Sequence, residues 1–433
     1  MTSEKSTGSR NRRAANASAP GELTAWRFVL LFGLVSLFTD MVYEGARSII
    51  GPYLATLGAS AALVGLVAGA GDFIGYGLRV ASGYLVARSR HYWAWTITGY
   101  ALTVLSVPFI GTSHALVPAL LLYGTERLGK AVRSPAKDTL LSHASTRTGR
   151  GKAFGVHQAM DQFGAMAGPL LLAAVLAASG GSYRLAFAVL AVPSVVVLGL
   201  LVWLRARVPD PSHYEQVPSA APADAKGAAA HVTQGPGAAT TTTSARGRPR
   251  LPALLWQYVA AVGVLSVGVA PFPLLALHAQ GRGLLSAAQV PVLFAVAMVV
   301  DGMTGLVAGP AYDRTGPVVL LLVPVAAAAA AVSFADSTAL VWAGVAVWGL
   351  VNGVLDSVVK AVVTQLVAPA ARAAAFGWLA LVRGIGLLVA GAVLGVAYQH
   401  SPNTAVALVL VVNMVGLLAL GRVLVAMRRR EHV

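Results

Sequence analysis

The chain has 433 residues, 57% of them hydrophobic and 11% charged, with a mean hydropathy of +0.71. A soluble domain carries about 25% charged residues, so this composition excludes an ordinary water-soluble enzyme or binding module and indicates an integral membrane protein. The formal net charge of +16 does not point to nucleic acid either, because the basic residues fall in short loops between apolar runs, as on the cytoplasmic side of a membrane protein. The absence of cysteine removes disulfides, thiolate catalysis and thiolate metal sites together, no metal-ligand grouping is visible, and no cofactor is expected.

Residues 1–22 are polar and basic, with Arg12-Arg13 but no apolar segment close behind. They read as a disordered cytoplasmic tail rather than a twin-arginine signal. At about 20 apolar residues per crossing, six spans follow: Trp26 to Leu57, Ala61 to Ala87, Tyr92 to Ile110, Ala115 to Leu141, Gly151 to Ala178 and Tyr183 to Leu204. The first is long, and its Gly51-Pro52 pair is expected to bend it. Residues 205–252 change to Pro, Ala, Gly and Thr with scattered Arg, which neither spans a membrane nor packs a core, so they read as a flexible cytoplasmic linker. Six more spans run Ala253 to Ala279, Ser286 to Tyr312, Val318 to Ala335, Ala339 to Val367, Ala373 to Gln399 and Thr404 to Ala426, before a basic tail at 428–433. The expected fold class is an all-α membrane protein with twelve transmembrane helices in two six-helix bundles, 23–204 and 253–427.

Arg88, Arg90, the stretch from Arg147 to Lys152, the linker, Arg314, Arg372 and the basic tail fall on the side of the N-terminus, against Arg184 and Arg282 on the other. Both termini are therefore expected in the cytoplasm of a cell whose inner (plasma) membrane holds the protein. The halves also repeat: Ala153-Phe154-Gly155 after Arg150 recurs as Ala375-Phe376-Gly377 after Arg372, which aligns Gly164 with Gly386 and Asp161 with Arg383. Parallel repeats with a midplane site between them are a transporter plan.

The spans carry charges whose burial in lipid costs about 2.5–3.5 kcal/mol each or more, so they need partners or a water-filled cavity. Asp40, Glu44 and Arg47 share one face of span 1 at i, i+4 and i+7. Asp72 lies on span 2, Glu126, Arg127, Lys130 and Arg133 on span 4, His157 and Asp161 on span 5, Asp301 on span 8, Asn352, Asp356 and Lys360 on span 10, and Arg383 on span 11. Two readings stand: a substrate and coupling site, or a structural salt-bridge network. Asp356 and Lys360, at i and i+4, are placed to neutralise one another. The P-loop-like run Gly124 to Lys130 has Ala131 where Ser or Thr would hold magnesium, and no strand precedes it. Gly69, Gly71, Gly75 and Gly77 lie inside an apolar span, where small residues let helices approach.

Three stretches carry a resemblance. Gly155, Gly164 and Gly168-Pro169 resemble the fifth-helix motif of major facilitator superfamily antiporters, with Leu172-Ala173 in place of its closing glycine pair. The segment Glu126 to Asp138, ERLGKAVRSPAKD, resembles that of a bacterial facilitator subgroup with an acidic-Arg-x-Gly-Lys stretch and a later basic-Asp pair. Gly309-Pro-Ala-Tyr-Asp313-Arg314-Thr-Gly316 is similar to the superfamily's loop signature, whose first copy, Gly83 to Arg90 with Arg88, has Ala87 in place of the Asp. The resemblance implies alternating access between two six-helix halves, with helices 1, 4, 7 and 10 lining the cavity and Arg127 near the place of a buried helix 4 arginine. It also implies a cytoplasmic gate in which Asp313 meets a helix N-terminus of the other half, a contact of about 0.3–2 kcal/mol; the bland alternative is a solvated turn residue. Helix 5 facing helix 8 and helix 2 facing helix 11 would bring Asp161 to Asp301 and Asp72 to Arg383. Asp40, Glu44, Glu126 and Arg127 are expected at similar depth with net negative charge, Asp40 or Glu44 carrying a proton that Arg127 replaces.

The expected function is secondary transport of a small solute, as proton-coupled efflux by antiport, by a monomer whose partners are substrate, H+ and the lipid bilayer. Import of an anionic solute is the alternative, suited by Arg127, Lys130 and Arg383. A non-transporting scaffold or sensor of the same fold is the alternative from another class.

Overall fold

A computed structural model describes residues 23–148, 150–215 and 251–431, and among them regular structure is helical throughout. The expected tails at 1–22 and 432–433 and most of the expected linker, 216–250, lie outside the described residues. The first half contains α1 (Ala25–Thr56), α2 (Ala61–Ser89), α3 (Tyr92–Ile110), α4 (Leu116–Thr148), α5 (Arg150–Ala178) and α6 (Tyr183–Arg207, interrupted at Leu190). The second contains α7 (Ala253–Gly281, broken after Val267 and resumed at Phe272), α8 (Gln289–Thr315), α9 (Leu322–Ala330, with a 3-10 turn at each end), α10 (Thr338–Leu366), α11 (Arg372–His400) and α12 (Pro402–Glu431).

Local sequence explains the ends. Thr24, Ser60 and Ser182 each cap a helix by accepting a backbone N–H three residues on, which satisfies one of the donors a helix start leaves free. The break in α7 falls at Gly268 and Pro271, where proline cannot supply the ladder donor. Among the described residues, ten helical segments are long and apolar enough to cross a membrane. The 33-residue α4 is not among them, because its central turns carry the charges, and α8 with α9 counts as one continuous segment, Gln289–Phe334.

Two boundaries differ from expectation. The basic stretch 147–152 is helical on both sides of residue 149, since α4 and α5 run past the apolar core that the sequence marks. The start of the linker is not loose either. After α6 the chain folds back as a 3-10 turn, Pro211–Glu215, with Tyr214 only 2% exposed against Phe28. Tyr214 Oη donates to the carbonyl of Leu23, and the Trp93 indole donates to that of Val208.

The two halves bury their apolar side chains differently. The first half has two separate cores, one around Phe28, Phe32, Trp93 and Leu201 and one around Ile49, Ile50, Val107 and Phe187. A layer of charge lies between them. The second half has one continuous core.

Glycine sets the close contacts. On α5, a Cβ at Gly164 or Gly168 would stand 2.1 Å from the carbonyl oxygens of Leu37 and Met41 on α1, and Gly386, which aligns with Gly164, meets Gly263 of α7 in the same way. Gly65 of α2 faces Gly391 of α11, and Gly69 faces Leu387. Small residues thus bring helix backbones together as they do in lipid generally. Gly51 serves this purpose too, packing on the backbone of Pro273 across the halves.

At the end opposite the start of α1, the halves are also joined by Tyr183 Oη donating to Gln280 (2.7 Å) and the Ala62 N–H donating to Gln399 (3.3 Å). At the other end, α4 and α10 share no extended packing among the described residues. These two helices therefore stand apart at the end that bears Ala25, Thr148 and Arg150, which is the open side between the halves.

Candidate functional site

The site begins with the charged stripe of α4, where Glu126, Lys130, Arg133 and Lys137 recur at i, i+4, i+7 and i+11, one face of a helix. That face meets α1, α2 and α5, which carry the remaining charges of the first half. The expected grouping of Asp40, Glu44, Glu126 and Arg127 into one net negative set is not what forms; they divide between two clusters, each with as many cations as carboxylates.

In the cluster nearer the closed end, Arg127 is 1% exposed. Its Nε lies 2.9 Å from Glu126 Oε2 and its Nη1 3.7 Å from Asp72 Oδ1. Asp72 also meets Arg47 at 3.6 Å, and Arg47 meets Glu44 at 3.6 Å. The Tyr43 and Tyr123 rings each stand 4.8 Å from the Arg127 guanidinium, a contact that favours a cation. Lys130 donates to Tyr43 Oη. Gly71 makes room for this side chain, since a Cβ there would stand 3.1 Å from Arg127 Cγ and Cδ. Three carboxylates thus meet three cations, and Arg47 reaches the second half at the Phe294 ring.

The second cluster joins α1, α3, α4 and α5 nearer the open end. Arg133 Nη2 lies 3.7 Å from Asp40 Oδ1, with its guanidinium over the Tyr100 ring. Asp161 is approached by Lys137 Nζ at 3.8 Å and by His157 Nε2 at 3.7 Å. His157 Nε2 is also 3.1 Å from Lys137 Nζ and 3.2 Å from Ser36 Oγ. An ammonium has only protons to give, so Nε2 accepts in the lysine contact, while Nδ1 is buried with no hydrogen-bond partner among the described residues. The carboxylates and Lys137 are partly exposed, whereas Arg133 is buried.

The facing of helices follows expectation, since α2 packs on α11 and α5 on α8, but the pairings do not. Asp72 is held by Arg47 and Arg127, and Arg383 instead takes Asp356, Nη1 to Oδ1 at 2.7 Å. Asp356 is thereby bound to α11 rather than neutralised by Lys360 alone. Asp161 pairs within its own half, and the α5–α8 contact is made by Gln162 Nε2 donating to the carbonyl of Met298. Asp301, on α8, is partly buried.

Of the expected gate residues, Arg88, Asp313 and Arg314 are exposed, and Gly309 has open space where a side chain would stand. Asp313 makes no ion pair among the described residues. In the helix 5 motif, Gly164 and Gly168 pack on α1, Pro169 lies within α5, and Gly155 touches nothing within 4 Å. The run Gly124 to Lys130 lies inside α4, so no phosphate loop exists there.

The residues missed by sequence reasoning are Ser36, Tyr43, Tyr76, Arg79, Tyr100, Tyr123 and the role of Lys137. The helical stripe on α4 was the available signal for Lys137. The tyrosines gave none, because in an apolar span an aromatic residue reads as core.

A helical membrane protein with a cleft between two halves and paired charges at mid-depth is a solute transporter in architecture, not an enzyme. The chain belongs to the Major Facilitator Superfamily, whose family model matches residues 32–391. It is 44% identical over 397 residues to an uncharacterized protein of Mycobacterium tuberculosis, covering 91% of this chain and 92% of that one. It is 30% identical over 143 residues to an uncharacterized MFS-type transporter of Methanocaldococcus jannaschii, covering 33% and 36%. Among solved structures, a point mutant of the nucleoside transporter NupG superposes with a TM-score of 0.71 at 12% identity, over 92% of this chain and 99% of that one. A bacterial homolog of the human lysosomal transporter Spinster, in an inward-facing and occupied conformation, gives 0.64 at 14% identity over 95% and 98%.

Proposed function

We propose that the protein is a secondary active transporter of a small solute that works by alternating access and is coupled to protons. Counting α4 as a span and α8 and α9 as two gives twelve crossings in two six-helix halves, with both termini in the cytoplasm of a cell whose plasma membrane holds a monomer. On that topology the cleft faces the cytoplasm.

The observation that carries the coupling is the second cluster, where the Asp40 and Asp161 side chains keep 20% and 15% exposure while their cationic partners Arg133 and Lys137 come from α4 and the Arg133 side chain is buried. A proton taken by either carboxylate releases Lys137 or Arg133 from its pair. Arg133 stays charged throughout, so its need for a negative partner changes with each protonation and shifts the balance between two arrangements of α1, α4 and α5. Efflux by antiport is the direction to which the fifth-helix motif inclines. The second reading, movement of an anionic solute, is favoured by cations of the cleft that lack carboxylate partners.

The test is flux in proteoliposomes with an imposed pH gradient and a broad compound panel. Wild type should concentrate a compound against its gradient; Asp40→Asn and Asp161→Asn should lose this while keeping downhill exchange. Uphill flux at the wild-type rate in both variants would move coupling elsewhere, with Glu44, Asp72 and Asp301 next. Absence of any flux would leave a scaffold.

A further inference from the structure

Three cations between the halves have no carboxylate at ion-pair distance among the described residues: Arg79 on α2, Lys130 on α4 and Lys360 on α10. They are not scattered. The Arg79 guanidinium lies 5.3 Å from the Tyr76 ring centre, and Arg383 approaches the same ring from the other half at 5.2 Å. Arg383 in turn grips Asp356, whose side chain is 51% exposed to the cleft. Lys360 lies one turn along α10 from Asp356, on the same helix face, and Lys130 stands on α4 of the opposite half, its ammonium over the Tyr43 ring. Beside Lys130 there is room, because a Cβ at Gly75 would meet only Lys130 Cδ at 4.0 Å.

The nearby carboxylates do not cancel this charge. Asp72 is engaged by Arg47 and Arg127, and Asp356 by Arg383. Asp301 has no ion pair among the described residues, and with Lys130 already balancing the third carboxylate of the Arg127 cluster, six cations (Arg47, Arg79, Arg127, Lys130, Lys360 and Arg383) stand against five carboxylates (Glu44, Asp72, Glu126, Asp301 and Asp356). The Nε atoms of Arg79 and Arg383 are moreover buried with no hydrogen-bond acceptor, a state that native structures seldom leave uncorrected. What these groups lack is oxygen acceptors, and the set as a whole is one negative charge short of balance inside helices where an unpaired cation is expensive.

We infer that Arg79, Lys130, Lys360 and Arg383 form a substrate site shared by the two halves, built for a small solute that bears carboxylate or phosphate groups. The inference rests on the transporter reading. It deepens that reading, since a ligand held from α2 and α4 on one side and α10 and α11 on the other stabilises the arrangement in which the halves close on it.

The test uses the full chain in nanodiscs of zwitterionic lipid, titrated calorimetrically with succinate, inorganic phosphate, glycerol and tetraphenylphosphonium. Succinate or phosphate should bind, more weakly at higher salt, and the one that binds names the oxyanion. Lys360→Gln and Arg79→Gln should each weaken that binding at least tenfold; Lys360 is exposed, so its variant should keep the wild-type melting temperature. Three results would each overturn the site: no binding of either anion, binding that both variants leave unchanged, or preference for tetraphenylphosphonium. Anion binding without counterflow in proteoliposomes would instead keep the site and sink the transport reading, whereas flux of neutral or cationic compounds without anion binding would do the reverse.

Discussion

Gly155 and Gly164 belong to one sequence motif, yet the structure gives them opposite consequences. A Cβ at Gly164 would stand 2.1 Å from Leu37 O and 2.9 Å from Leu37 C, and both are backbone atoms that no rotamer change can move aside. Ordinary contact begins at 3.4 Å, so Gly164→Ala must part α1 and α5 locally by about 1.3 Å or distort one of them. Overpacking of this kind costs about 1–3 kcal/mol. The displacement acts on the pair of helices that hold the second cluster, where Ser36 on α1 meets His157 on α5 at 3.2 Å, and a further ångström removes that hydrogen bond. Gly155→Ala enters open space and gains about 0.5–1 kcal/mol of helix preference. The assay is thermal unfolding in detergent followed by uphill flux. Gly164→Ala should melt several degrees lower with impaired flux, and Gly155→Ala should match or exceed wild type. Equal damage from both substitutions, or none from Gly164→Ala, would refute the packing argument.

Arg127→Ala leaves Glu126 buried without its ion-pair partner, while Asp72 keeps Arg47, and should cost about 3–5 kcal/mol; a melting temperature partly restored by adding Glu126→Gln would identify the unpaired charge as the cause, and no restoration would count against it. Asp313→Asn should hold the cleft open more of the time and lower turnover with little loss of stability, as read by cysteine labelling of introduced positions on the open side; unchanged labelling removes the latch role. Asp301→Asn deletes the one unpaired carboxylate near the proposed anion site and should tighten succinate or phosphate binding severalfold by calorimetry, with weaker binding counting against the site. Epitope tags at residue 2, within 220–245 and at residue 433 should all be protected in intact cells, and any accessible from outside would reverse the proposed orientation.

Much of the site was legible as a list and little of it as a set of partners. Asp40, Glu44, Asp72, Glu126, Arg127, Asp161 and Arg383 stand out because a charge inside an apolar run has no bland explanation in lipid. Their partners were not legible, because each pair joins different helices and depends on how far each is turned about its axis. Asp72 illustrates this, since the α2–α11 contact forms as expected while the side chain points into its own half. A rotation of a fraction of a turn separates the two outcomes, and 3.6 residues per turn leave sequence spacing silent on the absolute angle.

What the sequence determined by itself was the order and approximate bounds of the helices, since hydropathy acts locally and a helix in lipid satisfies its own backbone. Gly164 and Gly168 marked where α5 would lie against another helix, because only a missing side chain permits that approach. The tertiary structure alone decided which cations were matched. Arg127 and Arg133 found carboxylates, whereas among the described residues Arg79, Lys130 and Lys360 have none at ion-pair distance, and that difference arises from how the helices of the two halves meet in space. Electrostatic pairing at a few ångströms is a property of positions, and positions between helices are set by packing rather than by any one stretch of chain.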